Sequence, residues 1–347
     1  MAQLDAIVLP GIDPWQLLGL QSHLLEAVST RASQPALLIY ASHGRMLSIG
    51  RYQFYGGPSE RNGIGVVRRL TGGRVVGAGE GWLGLALILP SRTALLGPRD
   101  AALKPDQVMN RYARGLIAAM RAIGIDAFYP GRDAITVGGR EIAMCSFETD
   151  AAGGMLFEAI IAVNRGMEEV VHDLERFDPE GAVTSAIYGP ENATKIVREC
   201  DRDVAFEEIA DAIVRGYNEL LGGAEMRQLS GVEIAIADRR GATMRDSGWM
   251  TRKALAGEAL VGRIAGQLGA AEMRISIRDG RIENLSIGGE FIANSPGIAA
   301  LGDELRGRPL DMISVGQAVT SVFAGGENFI LGIGDLSNLV KLIAGAR

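Results

Sequence analysis

The segment RRLTGGRVVGAGEG, residues 68–81, places two adjacent arginines ahead of a run that holds five glycines. Glycines let a backbone approach a ligand closely and turn its N–H groups toward an anion, and an arginine at the edge of such a loop grips a phosphate or carboxylate through a planar fork. That combination could cradle an acyl phosphate. It fits equally a glycine-rich β-turn with solvated arginines, because glycine marks tight turns throughout proteins. The segment matches neither GxxxxGK[ST] nor a GxGxxG that opens a helix after a strand, so ordinary P-loop and dinucleotide-binding readings fall away. A second cluster, REIAMCSFE at 140–148, sets Arg140, Glu141 and Cys145 in an apolar strand pattern. A carboxylate beside an apolar strand can have its pKa raised toward neutrality and serve as a base; a surface strand glutamate is the alternative. Cys145 needs a neighbouring base to become a nucleophilic thiolate, no histidine accompanies it, and a buried structural thiol is the expectation. His23, His43 and His172 fall on helix, turn and helix patterns and read as packing or surface residues.

The chain that must position these residues has 347 of them, about two domains at the usual ~100 to 200 residues each. Hydrophobic residues make up 47% and charged ones 22%, and 35 basic against 41 acidic side chains leave a net charge of -6, which are globular proportions. A pI near 5.3 provides no global basic field, so nucleic acid is not an expected partner. The longest stretch without Asp, Glu, Lys or Arg runs from Met312 to Gly326, shorter than the ~18 residues of a spanning helix, and no membrane segment is expected. The opening MAQLDAIVLPGID lacks a basic region followed by an apolar core, so no export signal is expected either. Cys145 and Cys200 make no disulfide framework, and no CxxC or Cys/His cluster offers a metal site. A reducing cytoplasm is the natural compartment on this reading.

Asp13 and Pro14 open a helix carried by Leu17, Leu20, Leu24 and Val28. Short apolar runs at 35–42, 45–50, 64–70 and 82–90 read as strands around the glycine segment. From Pro105 one helical face is traced by Val108, Tyr112, Leu116 and Met120, with Gly124 placed to end it. AITV, REIAMCSFE and MLFEAIIAVN, joined by tight turns, predict three strands of an antiparallel meander, and helices follow around 166–175 and 204–221. Residues 226–257, with Arg239, Arg240, Arg245, Arg252 and Lys253 and weak periodicity, read as a basic linker or mobile loop. Its arginines either meet an acidic carrier domain, close over a site, or are simply solvated. Asp279–Gly280 predicts a type I′ hairpin, and helices starting at Ser295–Pro296 and lined by Val315, Val319, Val322 and Phe323 complete a small α+β unit at 258–347.

SIGRYQ (48–53), VVRRLTGGRVV (66–76), GRDAITVGGREIA (131–143) and the hairpin ending in MLFEAIIAVN, in this order, resemble the lipoate-protein ligase, octanoyltransferase and biotin-ligase superfamily. Its usual pattern is GRxQ, RRxTGGGAV, and an Asn or Asp before a strand pair carrying GRKIAG; the DGRIENLSIGGEF hairpin resembles the family's accessory domain. The resemblance implies an α+β fold with a mixed, largely antiparallel sheet flanked by helices, the class II synthetase-like fold, in a catalytic domain over 1–225. It also implies activation of a lipoyl- or octanoyl-type carboxylate with ATP and Mg²⁺, and transfer of the acyl group to a lysine on a lipoyl-type carrier domain. Carried over by position, Arg69, Thr71, Gly72 and Gly73 fall on the phosphate-proximal loop, Val75, Val76 and Gly77 on the nucleotide-facing stretch, and Asp133 on the Asn/Asp before the strand pair.

Departures from the pattern concentrate at the chemistry. Arg74 stands at the third glycine, Glu141 where the family's lysine contacts acyl carbonyl and phosphate, Met144 at a further glycine, and Phe157–Glu158 where a histidine–glycine pair is common. An ammonium ~4 Å from a phosphate charge gains up to about 4 kcal/mol at an effective dielectric near 20, and a carboxylate there costs a comparable amount. Three outcomes follow. Arg74 and Glu141 exchange charges and pair, leaving Arg140 or Arg69 to meet the anion; or the site has lost adenylation and kept a binding role; or Glu141 is a base toward a different substrate.

Overall fold

The computed structural model describes residues 4–95, 103–177, 190–246, 248–252 and 259–345. In chain order its elements are β1 (Leu4–Ile12), α1 (Pro14–Ser29), β2 (Ala36–Ser42), β3 (Arg45–Ile49), β4 (Glu60–Arg61), β5 (Ile64–Arg68), β6 (Val76–Gly79), β7 (Trp82–Leu89), α2 (Pro105–Ala122), β8 (Ala127–Phe128), β9 (Ala134–Val137), β10 (Arg140–Thr149), β11 (Met155–Ala162), α3 (Glu168–Phe177), α4 (Ile196–Cys200), α5 (Phe206–Leu221), β12 (Ala224–Met226), α6 (Gly231–Asp246), β13 (Ala259–Ala265), β14 (Ala270–Arg278), β15 (Arg281–Gly289), β16 (Ile292–Ala293), α7 (Ser295–Leu305), α8 (Met312–Phe323), β17 (Ile330–Leu331) and α9 (Leu336–Ala344).

The main sheet runs β12-β1-β2-β7-β11-β10-β9-β8. Only the β12–β1 and β1–β2 pairs are parallel, so the sheet is mixed and largely antiparallel, as expected. Strand β7 explains why WLGLALIL reads as an unbroken apolar run. Leu83, Leu85, Leu87 and Leu89 enter the core shared with Val108, Tyr112 and Leu116 of α2 and Ile213 and Tyr217 of α5, while Ala86 and Ile88 pack with Leu17, Leu20 and Leu24 of α1. A strand covered on both faces loses its alternation. A smaller sheet, β4-β5-β3-β6, leans on this one and carries the glycine segment between β5 and β6.

Helix α6 corrects the linker expectation. Residues 231–246 are helical and lie along α1 at backbone contact: a Cβ on Gly19 would stand 2.0 Å from the Ala237 carbonyl oxygen, and one on Gly241 would stand 2.3 Å from that of Trp15. Two charged side chains of the segment bind α1, with Gln16 Nε2 donating to Asp238 at 2.7 Å and Arg240 Nη2 donating to Glu26 at 2.5 Å. Close approach through glycines needs no wide apolar stripe, and that stripe is the signal a sequence reading relies on. Beyond α6, Trp249 to Arg252 cross the end of β5, while Lys253 lies outside the described residues.

The C-terminal unit is built on the β13-β14-β15 sheet and α7–α9, with Met273, Ile275, Leu301, Val319 and Ile343 in its core. Asp279 and Gly280 adopt φ 51° and 71°, the left-handed pair of the expected hairpin turn. This unit is stacked on the first through Tyr52 on Phe291 (5.1 Å between centroids) and Phe147 on Phe329 (4.6 Å). Glu148, at the end of β10, clasps the two: Tyr52 Oη donates to it at 2.7 Å, and the Ser295 N–H that opens α7 donates at 2.6 Å. Burial pushes the Glu148 carboxyl up to about 7, against the opposing pull of Arg51 and these donors. A raised folded-state pKa means the folded form takes up the proton more readily than the unfolded one. Stability from this group is therefore full below about pH 4.5 and lost as pH rises through about 7. The melting temperature should fall across that window, and Glu148→Gln should flatten the fall. An unchanged slope in the variant would assign the effect to other groups.

Candidate active site

Between β5 and β6 the chain turns through Leu70–Val75, and its arginines hold that turn in place. The Arg68 guanidinium, almost wholly buried, donates from Nη1 to the carbonyls of Gly50, Arg51 and Gln53 at 2.9, 3.0 and 2.7 Å, and from Nε and Nη2 to Trp249 and Met250 at 2.9 and 3.0 Å. Arg69 donates to the carbonyls of Ser48, Gly72 and Arg74 at 2.9, 2.6 and 2.7 Å. Sequence reasoning expected arginines that grip an anion or face solvent; both instead satisfy buried carbonyls, which a fork with five N–H groups does well.

The glycines meet protein too. Gly73 N–H donates to the Phe291 carbonyl at 2.7 Å and Ser146 Oγ donates to the Gly72 carbonyl at 2.9 Å. A Cβ on Gly72 would stand 2.3 Å from the Phe291 oxygen, and Gly73 has φ +94°. The loop is the seat on which the segment before β16 docks.

Arg74 and Glu141 pair. Arg74 Nη2 lies 2.9 and 3.0 Å from the two Glu141 oxygens, and its Nε donates to Asp133 at 2.6 Å, with Arg74 and Asp133 wholly buried. One guanidinium thus serves two carboxylates. Burial is the largest effect on Glu141 and pushes its carboxyl up to about 7; Arg74 opposes the rise and the Asp133 charge adds to it. Arg140, the other candidate cation, donates to Glu199 at 2.9 Å. Val75 and Val76 are fully buried among Leu47, Ile49, Val66, Met144 and Ile160, and the Trp82 ring occupies the space a Gly77 side chain would need. Cys145 is buried, its thiol pushed up chiefly by burial and then by Asp133 and Glu141, so it is no thiolate nucleophile.

Thr71 leads to a feature sequence reasoning underweighted. Its hydroxyl donates to Glu158 Oε2 at 2.6 Å, Gln21 Nε2 donates to Glu158 Oε1 at 2.9 Å, and burial raises the Glu158 pKa. This carboxyl sits in the wall of a narrow cavity of about 40 Å³ whose apolar lining includes Leu17, Leu18, Met46, Val67 and Trp82, with Tyr40 and Arg69 beside the carboxyl. Pro14, Ser42 and Ala78 are the half-buried residues at its edge. An isolated Glu inside the apolar run MLFEAIIA was the available signal.

A mixed sheet thus carries a glycine turn close to a small apolar cavity with a buried carboxyl. The model of the lipoyl protein ligase A/B catalytic domain matches residues 13–218, and the chain belongs to that family. Its fold is similar to that of LipL1 from P. falciparum, solved in complex with lipoate, with a TM-score of 0.71 at 14% identity over 98% of this chain and 99% of that one. It is also similar to a lipoate-protein ligase A bound with ATP, with a TM-score of 0.55 at 18% identity over 72% and 98%. A third similar structure is the bipartite lipoate protein ligase of Thermoplasma acidophilum, described with its E2 lipoyl domain, with a TM-score of 0.54 at 18% identity over 73% and 100%. No curated protein sequence matches.

Proposed function

We propose that this chain binds a lipoyl- or octanoyl-type acyl group at the apolar cavity beside Glu158 and presents it to a lipoyl-type carrier domain, without forming an acyl adenylate at the glycine turn. The observation that carries the reading is the apolar cavity reaching a buried carboxyl hydrogen-bonded to the TGG segment. A small acid with an apolar chain suits such a cavity: the walls reward the chain, and Gln21, Arg69 and Glu158 form its polar end. At about 40 Å³ the cavity is smaller than such a chain, so binding requires its lining to open, and the unbranched Met46 side chain is suited to repacking.

ATP with Mg²⁺ does not fit the residues at the turn. The Gly73 N–H that would face a phosphate donates to Phe291, Arg74 is committed to Asp133 and Glu141, and the position of the family's lysine is a carboxylate. An incoming phosphate meets a guanidinium already shared by two carboxyl groups, without the surplus positive charge that stabilises a leaving adenylate.

Trp82 in the cavity wall supplies the readout. Titration with lipoate or octanoate should change tryptophan fluorescence, and Ala78→Phe, which fills the edge of the cavity, should weaken binding on the order of tenfold or more while the protein stays folded. Binding that survives Ala78→Phe places the acid elsewhere. Pyrophosphate exchange with either acid and ATP should stay at background; exchange above it restores the adenylating reading and removes this one.

A further inference from the structure

A second cavity, of about 290 Å³, opens on the far side of the Arg68 knot. It is lined by Arg51, Arg68 and Arg252 together with Tyr52, Trp249 and Ser295. The three guanidiniums come from three places: the turn after β3, the end of β5, and the segment after α6. Arg68 cannot swing away, because five N–H···O=C bonds pin it, and among the described residues no carboxylate lies within 4.0 Å of its nitrogens. Carbonyl dipoles satisfy its N–H groups and leave its net charge in place. Arg252 donates to the carbonyls of Tyr52 and Ile287 at 3.2 and 2.8 Å. Arg51 lies over the Trp249 ring at 4.9 Å, donates to the Leu70 carbonyl at 3.3 Å, and has Glu148 3.8 Å from its Nε. That carboxyl is already engaged by Tyr52 and Ser295. Burial, and then repulsion from Arg252 and Arg51, lower the Arg68 pKa to about 9, a cost that an anion among the three would offset.

We infer that this cavity is a binding site for a compact oxyanion, a phosphoryl or carboxylate group of a small molecule, held between Arg51 and Arg252 in the field of the fixed Arg68 charge, with Ser295 at its edge. Arg68 contributes charge, each of its nitrogens already donating to a carbonyl, while the guanidiniums of Arg51 and Arg252 reach the cavity from the turn after β3 and the segment after α6, a placement that suits the several oxygens of such a group. This cavity is separate from the one beside Glu158, so the inference does not rest on the acyl-binding reading. It follows that an occupied site ties the segment after α6, the turn after β3 and the C-terminal unit to one ligand.

The test is thermal unfolding of the full chain with inorganic phosphate and, separately, malonate, each at about 10 mM and compensated with chloride to constant ionic strength, low enough that general salt effects on burial are small. The melting temperature should rise by roughly 3 °C with the matching anion. A shift with phosphate alone identifies a phosphoryl ligand, and one with malonate alone a carboxylate; either supports the site. Arg51→Gln, which leaves the Arg68 knot intact, should abolish most of the shift. Ser295→Asp, which places a carboxylate at the cavity edge, should do the same and serves where Arg51→Gln does not fold. No shift beyond chloride with either anion, or an undiminished shift in both variants, overturns the inference.

Discussion

Glu141→Lys is expected to destabilise the protein by about 3–5 kcal/mol, the loss typical of breaking a buried ion pair, and adding Arg74→Gly is expected to recover much of it. The reason lies in the arithmetic of the buried triad. Two carboxylates, Asp133 and Glu141, share the Arg74 guanidinium at 2.6 and 2.9 Å, with Arg74 fully buried. A lysine at position 141 leaves two cations facing Asp133 with no water to screen them. Arg74→Gly alone fails for the opposite reason, leaving two carboxylates without their cation. In the double variant the ammonium introduced at position 141 inherits Asp133, and one cation again faces one carboxylate. Urea unfolding of the four proteins measures the coupling, expected on the order of 2–3 kcal/mol in favour of the double. Strict additivity of the two single losses would show that the pair contributes nothing to the folded state.

What could be read from the residues follows a physical division. Strands β7, β10 and β11, helices α1, α2 and α5 and the Asp279–Gly280 hairpin were legible because each announces itself locally, by an apolar period, a cap or a turn dipeptide. The coupled change at 74 and 141 was legible because a charge reversed at one position calls for compensation nearby. Helix α6 was not, since its contact with α1 is made by glycines and by polar links to Gln16 and Glu26. Nor were the roles of Arg68 and Arg69. Nothing in the sequence around Arg68 distinguishes a guanidinium that binds an anion from one that saturates carbonyls, because its carbonyls come from Gly50 to Gln53 and from Trp249 and Met250, while Arg69 takes one from Ser48 and two from Gly72 and Arg74 in the turn itself, whose path no local motif specifies. Glu148 and Glu158 were visible as lone acids in apolar strands, but their partners, Ser295 and Gln21, lie 147 and 137 residues away.

The docking of the C-terminal unit on the glycine turn makes a second large effect calculable. Gly72→Ala should cost roughly 2–4 kcal/mol, as overpacking against fixed atoms does, and should free the C-terminal unit from the turn. The added methyl would stand 2.3 Å from the Phe291 oxygen and 3.1 Å from Ile292 Cα. Those atoms cannot retreat cheaply: Phe291 is stacked on Tyr52, and β16 is paired to β17 through Ile292–Leu331 and Ala293–Ile330. Faster proteolysis between the units and a lowered melting temperature should appear together. Gly302→Ala within α7 is the control, since nothing lies within 4 Å of its Cβ position and the change should stabilise by up to about 1 kcal/mol through helix propensity. The contrast separates two meanings of the same motif. In an open cradle, a methyl at position 72 faces an empty groove, weakens a ligand and leaves the melting temperature alone. In a turn that is already occupied by the protein's own backbone, the methyl strikes the fold itself, and stability falls with no ligand present.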